Sequence, residues 1–173
     1  MSKVLIVCGA RVLDASPSAR RWAKAELASA VLSFTPDLIA HGDARGPDRW
    51  ADELAAWLGI PRVVFAIFGG LSDPYVPIVR RPDRSTRPTK DAERFRYDPK
   101  DPKGRNAALM AWGAAQRDTG HAVQVCALYA PWTATRGTAH AAGFAREHGL
   151  VVTELTASPD LMPDTNDCTG GEG

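Results

Sequence analysis

The chain has few cysteines, little net charge and no long apolar run. Its three cysteines are odd in number and lack metal-ligand spacing, which argues against a disulfide framework or a structural zinc site. Cys8 and Cys126 lie in apolar runs, where thiols usually act as small buried hydrophobes. The net charge of +1 does not by itself favour nucleic acid or a membrane surface as partner. Residues 4–7 are too short for a signal sequence, and nothing approaches a membrane span, so we expect a soluble, cytoplasmic protein.

Three common functional motifs are also missing. No G-x-G-x-x-G follows the first apolar run, which disfavours the NAD binding of ordinary dehydrogenases. The chain contains neither G-x-x-x-x-G-K-[ST] nor G-x-S-x-G, so a P-loop NTPase and an α/β-hydrolase are not expected. We predict no cofactor and no metal.

The apolar pattern that is present alternates between strand-like and helix-like segments. With 173 residues and 45% hydrophobic content, the chain can bury the core of one ordinary domain. The alternation predicts an α/β fold: a single Rossmann-like, doubly wound, mainly parallel five-stranded sheet with helices on both faces. The predicted strands are 4–8, 38–41, 62–67, 122–129 and 150–155, and the predicted helices are 17–32, 47–58, 104–118 and 138–148.

Two segments fall outside this alternation. Residues 69–103 contain six prolines and nine Lys or Arg against six acids, and we predict a long insertion before the third helix: a lid, a binding arm or a disordered loop. Residues 156–173 carry four acids and no Lys or Arg, and are predicted to be a disordered tail. The folded domain is therefore predicted to be 1–155.

The most distinctive stretch is 38–48, in which a short apolar run leads into His-Gly-Asp-Ala-Arg-Gly-Pro-Asp. Pro47 then opens a helix whose apolar positions have helical spacing: Ala51, Leu54, Ala55 and Leu58. The N–H groups at a helix start have no internal partner, and glycine lets a ligand approach the backbone. A strand, a polar turn and a helix start in this order favour an anion.

Four polar clusters follow predicted strands or begin predicted helices, and the topology should bring them to one edge of the sheet. In open α/β sheets, ligands bind beyond the carboxyl ends of the strands, where the strand order reverses. The predicted ligand-binding residues are Gly9, Ala10, Arg11, Gly42, Asp43, Arg45, Asp48, Arg105, Asn106, Thr135, Arg136, Gly137 and Thr138.

Two of these residues, and two histidines nearby in the sequence, have more than one interpretation. Arg11 either contacts a phosphate or base, or is a solvated surface arginine. Asp48 accepts from a ribose hydroxyl, orients Arg45, or only complements the helix dipole. His41 and His140 are general-base candidates, although a lone histidine is more often structural.

Taken together, the motifs resemble the SLOG superfamily, and within it the YspA-like group of small bacterial and phage proteins. The resemblance spans 3–155 apart from the insertion 69–103, and is carried by VCGAR, HGDARGPDRWADELA, GRNAAL and TRGTAHAAGFAREHGL. It implies a Rossmann-like sheet with a pocket for nucleotides or nucleotide-derived ligands of the ADP-ribose type. Relatives include the LOG phosphoribohydrolases, which cleave nucleoside 5′-monophosphates, and the single-strand-binding protein DprA.

The chain departs from the LOG pattern at informative positions. Where LOG enzymes have Arg-Lys it has Arg105-Asn106, whereas Gly137-Thr138 matches the Gly-Thr of the LOG loop. Ala141 stands at the position of the LOG catalytic glutamate. Since a carboxylate would stabilise the oxocarbenium charge as a base leaves ribose, its absence removes a principal catalytic group.

The predicted function is therefore to bind a nucleotide or nucleotide-derived ligand as sensor, carrier or sequestering protein. In this hypothesis Arg11 and Arg105 add charge or stack on the base, and phosphate is held by Gly42, Arg136, Gly137 and Thr138. The first alternative is a nucleotide hydrolase, with Asp43 or Asp48 as candidate catalytic residues.

A second alternative is DprA-like binding of single-stranded DNA through the insertion 69–103, which combines arginines with aromatic side chains. SLOG relatives are often dimers, so the resemblance implies a homodimer as one assembly state, which the residues themselves leave open.

Overall fold

A parallel six-stranded sheet forms the centre of the fold, as seen in a computed structural model that describes residues 1–67, 92–97, 102–133 and 136–163. The strands are β1 (Lys3–Gly9), β2 (Leu38–His41), β3 (Arg62–Ile67), β4 (Ala92–Tyr97), β5 (Ala122–Tyr129) and β6 (Val151–Thr156). The α-helices are α1 (Pro17–Phe34), α2 (Pro47–Leu58), α3 (Pro102–Asp118) and α4 (Arg136–Glu147). Short 3₁₀ helices cover Arg11–Asp14 and Pro159–Leu161.

The strand order is β4-β3-β2-β1-β5-β6, and every pairing is parallel. The chain moves outward from β1 to β4, then returns to the other side of β1 with β5. The order therefore reverses between β1 and β5, where such sheets bind ligands. The predicted Rossmann-like α/β fold is confirmed, and the five predicted strands occupy the order 3-2-1-4-5 within it.

The sixth strand, β4, lies inside the stretch 69–103, which the sequence analysis treats as one long insertion without a strand. It pairs with β3 from Arg62 opposite Ala92 to Ile67 opposite Tyr97. In the sequence Ala-Glu-Arg-Phe-Arg-Tyr, the last four residues alternate arginine with an aromatic, which is the period-two pattern of a strand. Flanking prolines and charges hide that signal, so the prediction of an unbroken insertion is wrong over 92–97. The remaining lid or binding-arm prediction lies at 68–91 and 98–101, outside the described residues.

Both faces of the sheet are covered by helices, as predicted. On one face α1 and α2 pack over Leu5, Val7 and Leu128, and on the other α3 and α4 pack over Ile6 and Val125. Because neighbouring strand residues point to opposite faces, the continuous apolar run of β1 feeds both cores.

Local signals fix the helix ends. The Ser16 hydroxyl accepts a hydrogen bond from the Ala19 N–H at 3.3 Å and caps α1. Helix α2 begins after Gly46, whose φ of 89° suits only glycine, and its first residue is Pro47. This places the start of α2 beside the end of β1.

The acidic stretch 156–173 is partly described. Strand β6 ends at Thr156, Ala157 is buried against the α1–α2 side of the sheet, and a 3₁₀ turn follows at Pro159–Leu161. The folded part therefore extends beyond the predicted boundary at 155, because Ala157 continues the apolar packing. Residues 164–173, and with them most of the predicted tail, lie outside the described part. Within the described ranges, none of the helices is both long and apolar enough to cross a membrane.

The two cysteines that the structure describes lie on opposite faces of the sheet. Cys8 belongs to the core under α3 and α4, whereas Cys126 belongs to the core under α1 and α2. The thiols therefore point away from each other and cannot form a disulfide without moving a strand. Both act as small buried hydrophobes, as the sequence predicts.

Burial of these thiols predicts a loss of stability at alkaline pH. Burial raises the pKa of the Cys126 thiol from 9.0 to about 12, and raises the pKa of Cys8 still further. Above pH 9 the unfolded chain releases these protons while the folded protein keeps them, so the free energy of unfolding falls as pH rises. Each thiol contributes up to about 1.4 kcal/mol per pH unit.

Urea unfolding at pH 8 and pH 10.5 measures this effect. The variant Cys126→Ala should lose about 2 kcal/mol less than the wild type between these two values, since it lacks one of the two buried thiols that the structure describes. Equal losses in the two proteins would show that Cys126 ionises freely in the folded state.

Candidate functional site

A cavity of about 350 Å³ opens at the carboxyl ends of β1 and β5, where the strand order reverses. Four segments that are distant in sequence form its walls, and two of them begin helices α3 and α4. The lining residues are Cys8, Gly9, Ala10, Arg11, Val12, Ala44, Asp48, Arg105, Asn106, Leu109, Thr133, Arg136, Gly137, Thr138 and Ala141.

Nine of the thirteen predicted binding residues line this cavity. Gly42, Asp43 and Arg45 do not line it, and Thr135 lies outside the described residues. The lining residues that were not predicted are mostly small or apolar. Only their position next to predicted residues could have indicated them, since Cys8 precedes Gly9 and Leu109 lies one helical turn after Arg105. The nine come together because the topology brings the strand ends to one edge of the sheet.

The charge of the described lining is predominantly positive. Three arginines, Arg11, Arg105 and Arg136, stand against one carboxylate, Asp48. Arg11 and Arg136 are exposed, whereas Arg105 is only 6% exposed. A concave wall with this balance attracts anions, and a buried guanidinium binds them more strongly than an exposed one.

Arg105 lies in the first turns of α3, and its guanidinium passes directly over Gly42. A Cβ atom at Gly42 would lie 1.1 Å from Nη1 of Arg105 and 2.3 Å from Cζ, so only glycine leaves room for this side chain. Nη1 lies 3.7 Å from Oδ2 of Asp48, beyond hydrogen-bond length. The buried Nε has no hydrogen-bond partner among the described residues. Arg105 therefore presents unused donor capacity at the cavity wall.

Asp48 is turned inward and is already engaged. It is 3% exposed, and its Oδ2 accepts hydrogen bonds from the N–H groups of Gly42 at 3.0 Å and Ala44 at 3.3 Å. Of the three predicted alternatives, the helix-dipole position fits, because Asp48 lies in the first turn of α2. Its charged partner is Arg105 and not Arg45, and the ribose contact stays a prediction. The Gly42 N–H is occupied by Asp48 as well, so it is not open to phosphate, and the predicted phosphate contact of Gly42 needs this correction.

Arg45 points away from the cavity. Its Nε lies 2.9 Å from Oδ2 of Asp14, a carboxylate that also pairs with Arg20 at 2.9 Å. This exposed cluster holds the turn 42–46 against the 3₁₀ helix at Arg11–Asp14. Arg45 is better described as a clamp on the turn than as a ligand contact.

Gly9 and Ala10 act mainly through packing and backbone pairing. A Cβ atom at Gly9 would lie 2.4 Å from Cγ of Pro47, so this glycine lets the start of α2 pack on the end of β1. The Ala10 N–H donates to the Leu128 carbonyl at 2.9 Å. Their place in the lining therefore reflects the close approach of β1, α2 and β5.

The first turn of α4 forms the opposite wall. Arg136, Gly137 and Thr138 line the cavity, and the Asn106 Nδ2 donates to the Gly137 carbonyl at 3.3 Å. A Cβ atom at Gly137 would meet no described atom within 4 Å, so the space in front of this turn is open. The first N–H groups of a helix lack intrahelical acceptors, which makes this turn the best-placed anion site in the cavity.

The remaining catalytic candidates lie outside the cavity lining. His41 is fully buried; its Nε2 lies 3.2 Å from Oδ1 of Asp52, and its Nδ1 accepts from the Asp43 N–H at 3.1 Å. These two contacts brace the turn. Asp43 has a left-handed φ of 56°, and its Oδ1 lies 3.9 Å from Nε of Arg49. His140 packs edge-on against Phe144. None of the three is positioned to act on a ligand in the cavity.

No protein-family model and no curated protein matches the chain. Among solved structures, the chain is similar to the X-ray structure of TM1055, a Northeast Structural Genomics Consortium target, with 18% sequence identity and a TM-score of 0.48. That alignment covers 87% of this chain and 72% of the other.

Proposed function

We propose that this protein binds a phosphorylated ligand, a nucleotide or nucleotide-derived molecule, in the cavity between β1, β5, α3 and α4. The observation that carries the proposal is the buried Arg105 guanidinium, whose Nε has no hydrogen-bond partner among the described residues. A buried donor without an acceptor is unfavourable by about 1–3 kcal/mol, and more for a charged group. A ligand oxygen supplies the acceptor.

The other groups of the cavity fit the same ligand class. Arg136 and the open first turn at Gly137 and Thr138 supply charge and N–H groups to a phosphate, and Arg11 adds a second exposed guanidinium. The volume of about 350 Å³ is near the small end of the 300–1,000 Å³ found for ligand pockets. The SLOG resemblance independently implies a nucleotide-type ligand, so it agrees with the chemistry of the walls.

Binding without cleavage is the better-supported activity. Ala141 lines the cavity where the LOG resemblance places a catalytic glutamate. Asp48 is the one acidic residue of the described lining, and its Oδ2 is already engaged by two N–H groups. The role of sensor, carrier or sequestering protein therefore suits this site better than that of a hydrolase.

Two further predictions from the sequence, single-strand binding and a homodimer, remain proposals. Single-strand binding through 69–103 depends on a stretch of which the structure describes only the backbone of β4 and the start of α3. For the homodimer, Trp57 on α2 is 66% exposed and could lie in an interface between two copies. Trp22 and Trp112 instead pack against the two cores of the same chain.

Thermal unfolding with AMP, ADP-ribose, NAD or inorganic phosphate tests the proposal. A ligand at 100 times its Kd adds about 2.7 kcal/mol, which for a chain of this size raises Tm by roughly 5–10 °C. The same mixtures are then separated by chromatography to detect released base, whose appearance would establish hydrolysis. No shift with any of the four, together with no small molecule released on denaturing the purified protein, would refute the proposal.

Arg136→Ala gives a direct test of the phosphate wall. Removing one charge-assisted contact of about 1.5–3 kcal/mol should weaken the binding of AMP or ADP-ribose roughly 10-fold to 100-fold. Isothermal titration calorimetry measures the change, and Tm without ligand should stay the same because Arg136 is exposed. The matched control is Arg21→Ala, an exposed arginine on α1 that does not line the cavity. Equal affinities in the two variants would exclude Arg136 from the site.

A further inference from the structure

We propose that Asp48 is a positioning residue, which holds the guanidinium of Arg105 in the cavity wall and does not itself bind the ligand. This inference deepens the proposed function and rests on it, because it concerns how the anion site is built. The supporting observation is that Arg105 Nη1 lies over Gly42 and 3.7 Å from Oδ2 of Asp48. Holding Arg105 would explain why a carboxylate lies in the wall of an anion site.

A carboxylate inside an anion site needs a reason to be there. Asp48 lines the cavity with three arginines, and its negative charge repels a bound phosphate. If it served only as a charge in the wall, the site would bind anions more tightly without it. Its orientation indicates a different role, since the atom that meets Arg105 is the same Oδ2 that accepts from the Gly42 and Ala44 N–H groups.

This shared oxygen couples the turn after β2 to the start of α3. The two N–H donors fix Oδ2 in place, and the fixed oxygen holds Nη1 of Arg105 at 3.7 Å by charge alone. The missing side chain of Gly42 provides the space that Nη1 occupies. Because Nη1 is held by attraction and not by a hydrogen bond to Asp48, the guanidinium N–H groups stay available for ligand oxygens.

The variant Asp48→Asn separates positioning from folding. An asparagine oxygen can still accept from the Gly42 and Ala44 N–H groups, so the turn is retained, while the charge that holds Arg105 is lost. The matched control is Asp52→Asn. Asp52 is also a buried carboxylate paired with a buried arginine, Arg62, at 3.5 Å, but it lies outside the cavity lining.

Arginine labelling by phenylglyoxal, mapped by peptide mass spectrometry, tests positioning without any ligand. In the wild type, Arg105 should react slowly and the exposed Arg21 quickly. In Asp48→Asn, Arg105 should react at least about tenfold faster, while Arg62 stays protected and so reports that the protein remains folded. In Asp52→Asn, Arg105 should stay protected.

Calorimetry with AMP and ADP-ribose then tests the consequence for binding. Asp48→Asn should bind about tenfold more weakly than the wild type, and in an Arg105→Ala background the same change should cause no further loss. Tighter or unchanged binding by Asp48→Asn, with Arg105 still protected from phenylglyoxal, would overturn the inference. Wild-type protein that binds none of AMP, ADP-ribose, NAD and inorganic phosphate and releases no small molecule on denaturation, combined with Arg105 released in Asp48→Asn, would refute the proposed function and leave the positioning role standing.

Discussion

Gly42→Ala is expected to weaken ligand binding at least about 30-fold while the protein still folds. The new Cβ atom would lie 1.1 Å from Nη1 of Arg105 and 2.9 Å from Oδ2 of Asp48, so it must displace the guanidinium from the cavity wall. The displaced atoms are the far end of a long side chain, so the fold can absorb the change. Loss of a buried charged partner is typically worth about 2–5 kcal/mol, which corresponds to a roughly 30-fold to 4,000-fold loss of affinity.

Calorimetry with AMP or ADP-ribose measures this loss, and thermal unfolding without ligand checks the fold. The single variant Arg105→Ala should match Gly42→Ala in affinity, and combining the two should add little, because both remove the same contact. Wild-type affinity in Gly42→Ala would mean that Arg105 reaches the ligand by another route or does not contact it.

Gly137→Ala is expected to weaken binding at least about tenfold without lowering stability. The new methyl group would meet no described protein atom within 4 Å, so the folded protein accommodates it, and alanine favours a helix by roughly 0.5–1 kcal/mol over glycine. In the complex, that same space is where we propose that the phosphate contacts the first turn of α4. The methyl group would hold the phosphate away from the N–H groups.

Gly143→Ala provides the matched control on the same helix. Gly143 also has open space at its Cβ position, but it does not line the cavity. Both variants should keep or slightly raise Tm, and only Gly137→Ala should weaken the binding of AMP or ADP-ribose. Equal affinities would place the ligand away from the α4 turn.

Most of the fold could be predicted because its elements carry strong local signals. The alternation of apolar runs with helical spacing identified five strands and four helices, with helix ends within about two residues of those observed. Strand β4 was missed because its alternation of arginines with aromatics, from Arg94 to Tyr97, is short and lies in a segment dominated by prolines and charge. Its pairing also depends on the free edge of β3, which the sequence of the segment does not show.

The sequence predicts which clusters surround the cavity, but it does not predict which side chains of each cluster face it. Topology brings the strand ends together, so the cluster positions followed from the order of the elements. Which side chain of a cluster faces the cavity depends on partners elsewhere in the chain: Arg45 turned outward to Asp14, and Asp48 turned inward to Arg105. No spacing rule within 42–48 contains that information.

The pairing of β1 with β5 has a consequence for how the protein is made. Lys3 pairs with Ala122 and Gly9 with Leu128, so β1 leaves the ribosome long before its partner β5. Until β5 inserts, β1 presents an unpaired edge that other chains can join. Contacts of such sequence separation slow folding. The cavity cannot exist before that insertion, so no molecule that binds there can protect a nascent chain until β5 has left the ribosome.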